Sequence, residues 1–180
     1  MAEARLILIT GIPGVGKTTL LSKVILELRK RGLSVGGVYS KEMREDKVRT
    51  GFVMTDLLTG FQKELASVHG QGPRMGRYRV NLKNLADFGA PALESAIQNA
   101  DIIVIDEVGP MELVSPEFRR AVKQVMECSK PALIVIHLRM RDPLIEEIKG
   151  RGDSLIFEVT PENRNELASA ILRSLKVVAG

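Results

Sequence analysis

The residues Gly11-Ile12-Pro13-Gly14-Val15-Gly16-Lys17-Thr18-Thr19 join flexible glycines, a lysine and two hydroxyls at a spacing that suits phosphate. Gly11, Gly16, Lys17 and Thr18 satisfy G-x-x-x-x-G-K-[ST], a Walker A loop. Glycines let backbone N–H groups curl around phosphate oxygens, and a helix beginning at the loop's end presents its positive terminus. Lys17 adds a full charge near the β- and γ-phosphates, and Thr18 supplies a hydroxyl for Mg²⁺. Gly11 through Thr19 are therefore the expected contacts of a nucleoside triphosphate.

Asp106 and Glu107 form a second group, at the end of the apolar run Ile102-Ile103-Val104-Ile105. An aspartate there is the natural Walker B residue, holding Mg²⁺ through its water shell, so Thr18 and Asp106 are the expected metal residues. The carboxylate of Glu107 is positioned to orient or deprotonate the water that attacks the γ-phosphate. Lys17 and Glu107 are thus the catalytic candidates. Asp106 to Gly109 also reads D-x-x-G, the second switch of regulatory GTPases. Three features oppose that reading: the long stretch between Lys17 and Asp106, Pro110 and Met111 where a water-positioning glutamine is wanted, and no N-K-x-D guanine motif.

The elements needed to position these groups can be followed along the chain. The run 5–10 predicts a strand into the loop, and Leu20, Leu21, Val24, Ile25 and Leu28 recur at helical spacing before a basic end and Gly32. A strand over 35–39 opens into the polar stretch 40–47, and residues 49–68 read as an antiparallel hairpin around Thr59-Gly60. Residues 70–79 are a glycine-rich basic segment, either a solvated loop or a flap whose arginines meet phosphate. A helix with proline in its first turn is predicted over 90–97, the Asp106 strand is buried on both faces, and Ser115-Pro116-Glu117 opens another helix. Further strands at 132–138 and 155–159 flank a helix at 144–149, and Thr160-Pro161-Glu162 is read as starting the final helix.

Strands alternating with helices predict a doubly wound α/β domain, a mostly parallel sheet with an attached antiparallel hairpin. The ligand belongs at the carboxyl ends of the strands. With 180 residues and 44% hydrophobic content, a single domain over 1–180 is expected, the hairpin and basic loop at about 40–80 resembling an insertion. The lone cysteine, Cys128, excludes an internal disulfide and a cysteine zinc cluster, and suits a reducing cytosol. No apolar run approaches the roughly 18 residues of a membrane span. The reading is a cytoplasmic monomer without membrane contact. A net charge of +4, no tryptophan and few other aromatics give no case for nucleic acid as a partner.

The Walker A loop, the stretch Met75-Gly76-Arg77-Tyr78-Arg79-Val80, the signature Asp106-Glu107-Val108-Gly109-Pro110-Met111-Glu112-Leu113 and the ending Thr160-Pro161-Glu162-Asn163-Arg164 together resemble the cancer-related nucleoside-triphosphatase family, the thermophile-type P-loop NTPases. The resemblance spans essentially the whole chain and keeps motif order. It implies a three-layer, RecA-like core and slow Mg²⁺-dependent hydrolysis of several nucleoside triphosphates with loose base preference. Related proteins described as nucleotide kinases leave open transfer to a second small-molecule acceptor. The family also implies a strand between those bearing the two phosphate motifs, the one ending at His137. His137 would then face the γ-phosphate region. Positive charge beyond Lys17 is sought among Arg77, Arg139, Arg141 and Arg151, while Asn163 and Arg164 lie where related enzymes pass the base. A third class of reading is a nucleotide-switched binding module for nucleic acid or protein.

Overall fold

The structure, a computed structural model, describes residues 3–176. Strand β1 (Leu6–Thr10) enters the phosphate loop, and α1 (Lys17–Lys30) leaves it. Next come β2 (Val35–Glu45), β3 (Val48–Asp56), β4 (Gln62–Ser67), β5 (Arg74–Met75) and β6 (Tyr78–Val80). A continuous helical run follows: α2 (Leu82–Asn84), a π-helical turn Leu85–Gly89 and α3 (Ala90–Asn99). Then come β7 (Ile102–Val108), α4 (Pro116–Glu127), β8 (Ala132–Ile136), α5 (Pro143–Lys149), β9 (Ser154–Glu158) and α6 (Leu167–Ser174).

The strands form one sheet in the order β5-β6-β4-β3-β2-β7-β8-β1-β9. From β2 to β9 every pairing is parallel, and β8 lies between β1 and β7 as the family resemblance implies. Period-two alternation sorts the apolar side chains between two cores. Leu6, Leu8, Ile103, Ile105, Ile134 and Ile136 face the core completed by α3, α4 and α5. Ile7, Ile9, Ile102, Val104, Leu133 and Val135 face the one completed by α1 and α6. Each fully buried side chain of this kind contributes about 1.5–3 kcal/mol, so strands without polar interruption can only lie in the middle layer.

Four expectations are corrected. The polar stretch after Tyr39 is a continuation of β2, because Asp46 and Lys47 take positive φ angles of 46° and 68° and close a tight turn to β3. The basic segment is also not a simple loop: β5 and β6 form a small hairpin on β4, so the attachment is an antiparallel meander larger than one hairpin. The helix before β7 begins at Leu82, where the Asn81 side chain accepts from the Asn84 amide at 2.9 Å. The π-helical turn leads the ladder past Pro91, which has no N–H to donate. The final helix begins at Leu167, because the Asn163 side chain accepts from the Thr160 amide and donates to the Glu158 carbonyl, holding 160–163 in a non-helical turn.

At the sheet's other end, Arg5 ties three elements together. Its Nε donates to Asp153 at 2.7 Å, and its Nη groups donate to the carbonyls of Met126, Cys128 and Lys130 at the end of α4. Arg151 also donates to Asp153, and with Arg5 holds that carboxyl down at about 2. Arg5→Ala should leave the α4 carbonyls without donors and cost about 2–4 kcal/mol in urea denaturation at neutral pH. A carboxylate depressed in the fold adds stability above its unfolded value of 3.8 and loses it as pH falls toward about 2. Asp153→Asn should flatten the loss of stability across that window.

Candidate active site

The phosphate loop forms where β1 ends and the chain must turn into α1. Gly14 and Gly16 have φ angles of 79° and 111°, in the left-handed region that a side chain would strain. Gly16 caps α1 without a side-chain bond, and the first turn of the helix carries no acid. Its N–H groups and positive end are therefore available to an anion. Lys17 lies back across the loop and donates to the carbonyls of Gly11 and Ile12 at 2.8 and 3.0 Å.

Asp106 and Glu107 stand at the carboxyl end of β7, where the register against β8 shifts between Ile105 and Val108 and the intervening peptide is cis. The Thr18 hydroxyl donates to Asp106 Oδ2 at 3.3 Å, and the Ser40 hydroxyl donates to the Asp106 carbonyl at 2.6 Å. Burial, reinforced by the charge of Glu107, pushes Asp106 up to about 7. Burial raises Glu107 as well, against the pull of Lys17 and His137. A hydroxyl beside a buried carboxylate makes a hard oxygen donor pair, which fits a divalent cation of the Mg²⁺ type; the cation would also relieve the crowded negative charge.

A cavity of about 1130 Å³ runs from the loop past these acids. Gly11, Ile12, Pro13, Gly14, Gly16, Lys17, Thr18 and Thr19 border it, whereas Val15 turns into the core beneath. His137 also lines it, and its Nδ1 accepts from the amides of Arg139 and Met140. Of the candidate arginines, only Arg139 borders the cavity. Arg77 donates to the Arg49 carbonyl and covers the Tyr78 ring at 5.2 Å, so it serves the meander. Arg141 is exposed beyond the cavity wall, and Arg151 is committed to Asp153. Asn163 spends its side chain on Thr160 and Glu158. Arg164 approaches the loop, its Cδ 3.9 Å from the place a Cβ would take at Gly16.

Sequence reasoning did not single out Ser40, Glu42, Arg49, Tyr78 or Glu112, all of which reach the cavity. Glu112 had a readable signal, an acid between apolar Met111 and Leu113. A Cβ at Gly109 would sit 2.8 Å from Glu107 Oε1 and 3.3 Å from Glu112 Oε2, so the missing side chain lets the two carboxyls converge. Burial, then the charges of Glu107 and Asp106, push Glu112 up to about 8.

An acid raised in the fold holds its proton after the unfolded chain has lost it, so stability falls as pH climbs from about 4.5 to about 8. Glu112→Gln removes this penalty. In the absence of nucleotide it should stabilise the protein by roughly 2–4 kcal/mol above pH 8 and by nothing below pH 4, read from denaturant midpoints across pH.

The model of a family described as NTPase matches residues 6–172. The nucleoside-triphosphatase THEP1 of Thermotoga sp. (strain RQ2) is 45% identical over 175 residues, 97% of either chain. Its Methanopyrus kandleri namesake is 42% identical over 167 residues, 92% of either chain. The crystal structure of THEP1 from Aquifex aeolicus matches with a TM-score of 0.83 at 35% identity, covering 95% of this chain and 99% of its own. The solution structure of a human cancer-related nucleoside triphosphatase gives 0.80 at 37% identity, covering 94% and 96%. The α/β architecture is shared with these two solved structures. With motif order, sheet and near-full-length likeness in agreement, this chain belongs to the NTPase family.

Proposed function

We propose that the chain hydrolyses nucleoside triphosphates, ATP and GTP among them, to the diphosphate and inorganic phosphate in a Mg²⁺-dependent reaction. One observation carries this reading: Glu107 stands beside Asp106 in the same cavity as Lys17 and Thr18, a proton acceptor next to a phosphate cradle. The loop amides and Lys17 hold the β- and γ-phosphates in place. Thr18 and Asp106 hold Mg²⁺, which when bound neutralises charge on the phosphate oxygens. Glu107 orients a water on the far side of the γ-phosphate and accepts its proton as the oxygen attacks. Its raised affinity for protons, a consequence of burial, makes it a better base than an exposed glutamate. His137 and Arg139, which also line the cavity, supply positive charge and donors for the phosphoryl group in transfer.

The proton lost by water must have somewhere to go, and amide-for-carboxylate exchange removes that destination while keeping shape. Glu107→Gln should bind ATP within about threefold of the parent and lose on the order of 10²–10⁴ in kcat. Steady-state phosphate release and equilibrium binding on the same preparation measure the two. Hydrolysis at the parent rate would remove Glu107 from the role.

A further inference from the structure

The cavity does not stop at the phosphate-holding residues. Beyond Asp106 and Glu107 it continues to the antiparallel meander, where Phe52, Leu65, Met75, Tyr78 and Met111 form its wall. The wall lies past the acids assigned to the γ-phosphate end of the triphosphate, where hydrolysis itself needs room only for a water molecule. One cavity of about 1130 Å³ spans both the loop and this wall.

This end is held in shape by its own contacts. The Phe52 and Tyr78 rings meet edge to face at 5.2 Å. Arg49 Nε donates to the Tyr78 hydroxyl at 2.8 Å, its Nη1 pairs with Glu42 at 2.9 Å, and its guanidinium lies 5.2 Å from the Phe52 ring centre. Rings fixed before a ligand arrives lower the ordering cost of binding. Apolar rings and the thioethers of Met75 and Met111 favour a flat aromatic partner over an aliphatic one. At the rim, Arg44 occupies Glu42 Oε2 and Arg49 Nη1 bonds Oε1, so the second lone pair of Oε1 and the Nη2 donors of Arg49 are what remain for the mixed edge of a heterocycle.

We propose that the meander end of the cavity is a second binding site, which takes a planar heteroaromatic small molecule of nucleoside size while a triphosphate occupies the loop. Its ring lies against Phe52, Met75 and Met111, and its polar edge meets Glu42 and Arg49. The proposal rests on the reading of the loop as the triphosphate site.

The test uses isothermal titration of adenosine, guanosine, cytidine and thymidine into the full chain already saturated with Mg²⁺ and the non-hydrolysable analogue AMP-PNP. Nucleosides carry the ring without phosphate, and the analogue already fills its own base position. At least one nucleoside should bind one equivalent with Kd below about 1 mM. Met75→Trp, which fills the pocket, should weaken that binding at least ~10-fold and leave AMP-PNP affinity within about threefold. Should Met75→Trp fail to fold, Met75→Ala should weaken nucleoside binding about threefold or more through lost contact. If AMP-PNP binds and no nucleoside does, or if Met75 substitution leaves nucleoside binding unchanged, the second site is overturned and the loop reading survives. If AMP-PNP itself does not bind, the loop reading fails and this proposal falls with it.

Discussion

Crowded negative charge at the end of a buried strand is the constraint on which the rest of the structure depends. Burial raises the proton affinity of Asp106, Glu107 and Glu112, the charge of Glu107 raises Asp106 further, and Glu107 and Asp106 together raise Glu112. An apolar core gains nothing from such a cluster, so the stability has to come from elsewhere. It comes from the strands beside it: β1, β7 and β8 are buried along their length, and α1, α3, α4 and α5 cover both faces. Lys17 and the positive end of α1 supply the opposing field from the neighbouring loop. The same imbalance that weakens the empty fold makes the site receptive to a cation and to a phosphate chain.

Much of this was legible because the decisive residues announce themselves locally. The Walker A spacing dictates glycines at positive φ and a helix start at Lys17, and both are found. Unbroken β-branched runs such as Ile102-Ile103-Val104-Ile105 fit only a strand covered on both sides, which fixes the central sheet. Helix faces such as Phe118, Ala121, Val122, Val125 and Met126 follow from their period, and all are buried. What escaped depends on long-range partners or on side-chain bonds that compete with regular structure. Asp46-Lys47 turns without a glycine, the helix at Leu82 is anchored by Asn81 and by Asn84 bonding to the Glu64 carbonyl, and Asn163 delays the final helix. The arginines illustrate the limit in the site itself. Arg151 is held by Asp153, two residues along the chain, whereas only the tertiary fold brings Arg139 to the cavity wall and leaves Arg141 beyond it.

The meander is what this chain adds to a minimal phosphate-binding sheet. By extending β2 past the catalytic edge and folding β3 to β6 beside it, the chain raises a wall over ground that a parallel sheet alone would leave to solvent. Ser40 on β2 links the two halves, its hydroxyl bonded to the Asp106 carbonyl. The wall of the meander and the acids of β7 thus border one cavity.

The most direct test of the account follows the γ-phosphate itself. Purified protein would be incubated with Mg²⁺ and γ-labelled ATP or GTP, alone and with nucleosides or nucleoside monophosphates, while the label is traced. Label should appear as free inorganic phosphate, at a rate that requires a carboxylate at position 107. Label appearing on an added acceptor faster than in free phosphate would contradict it, making transfer the reaction and hydrolysis its leakage.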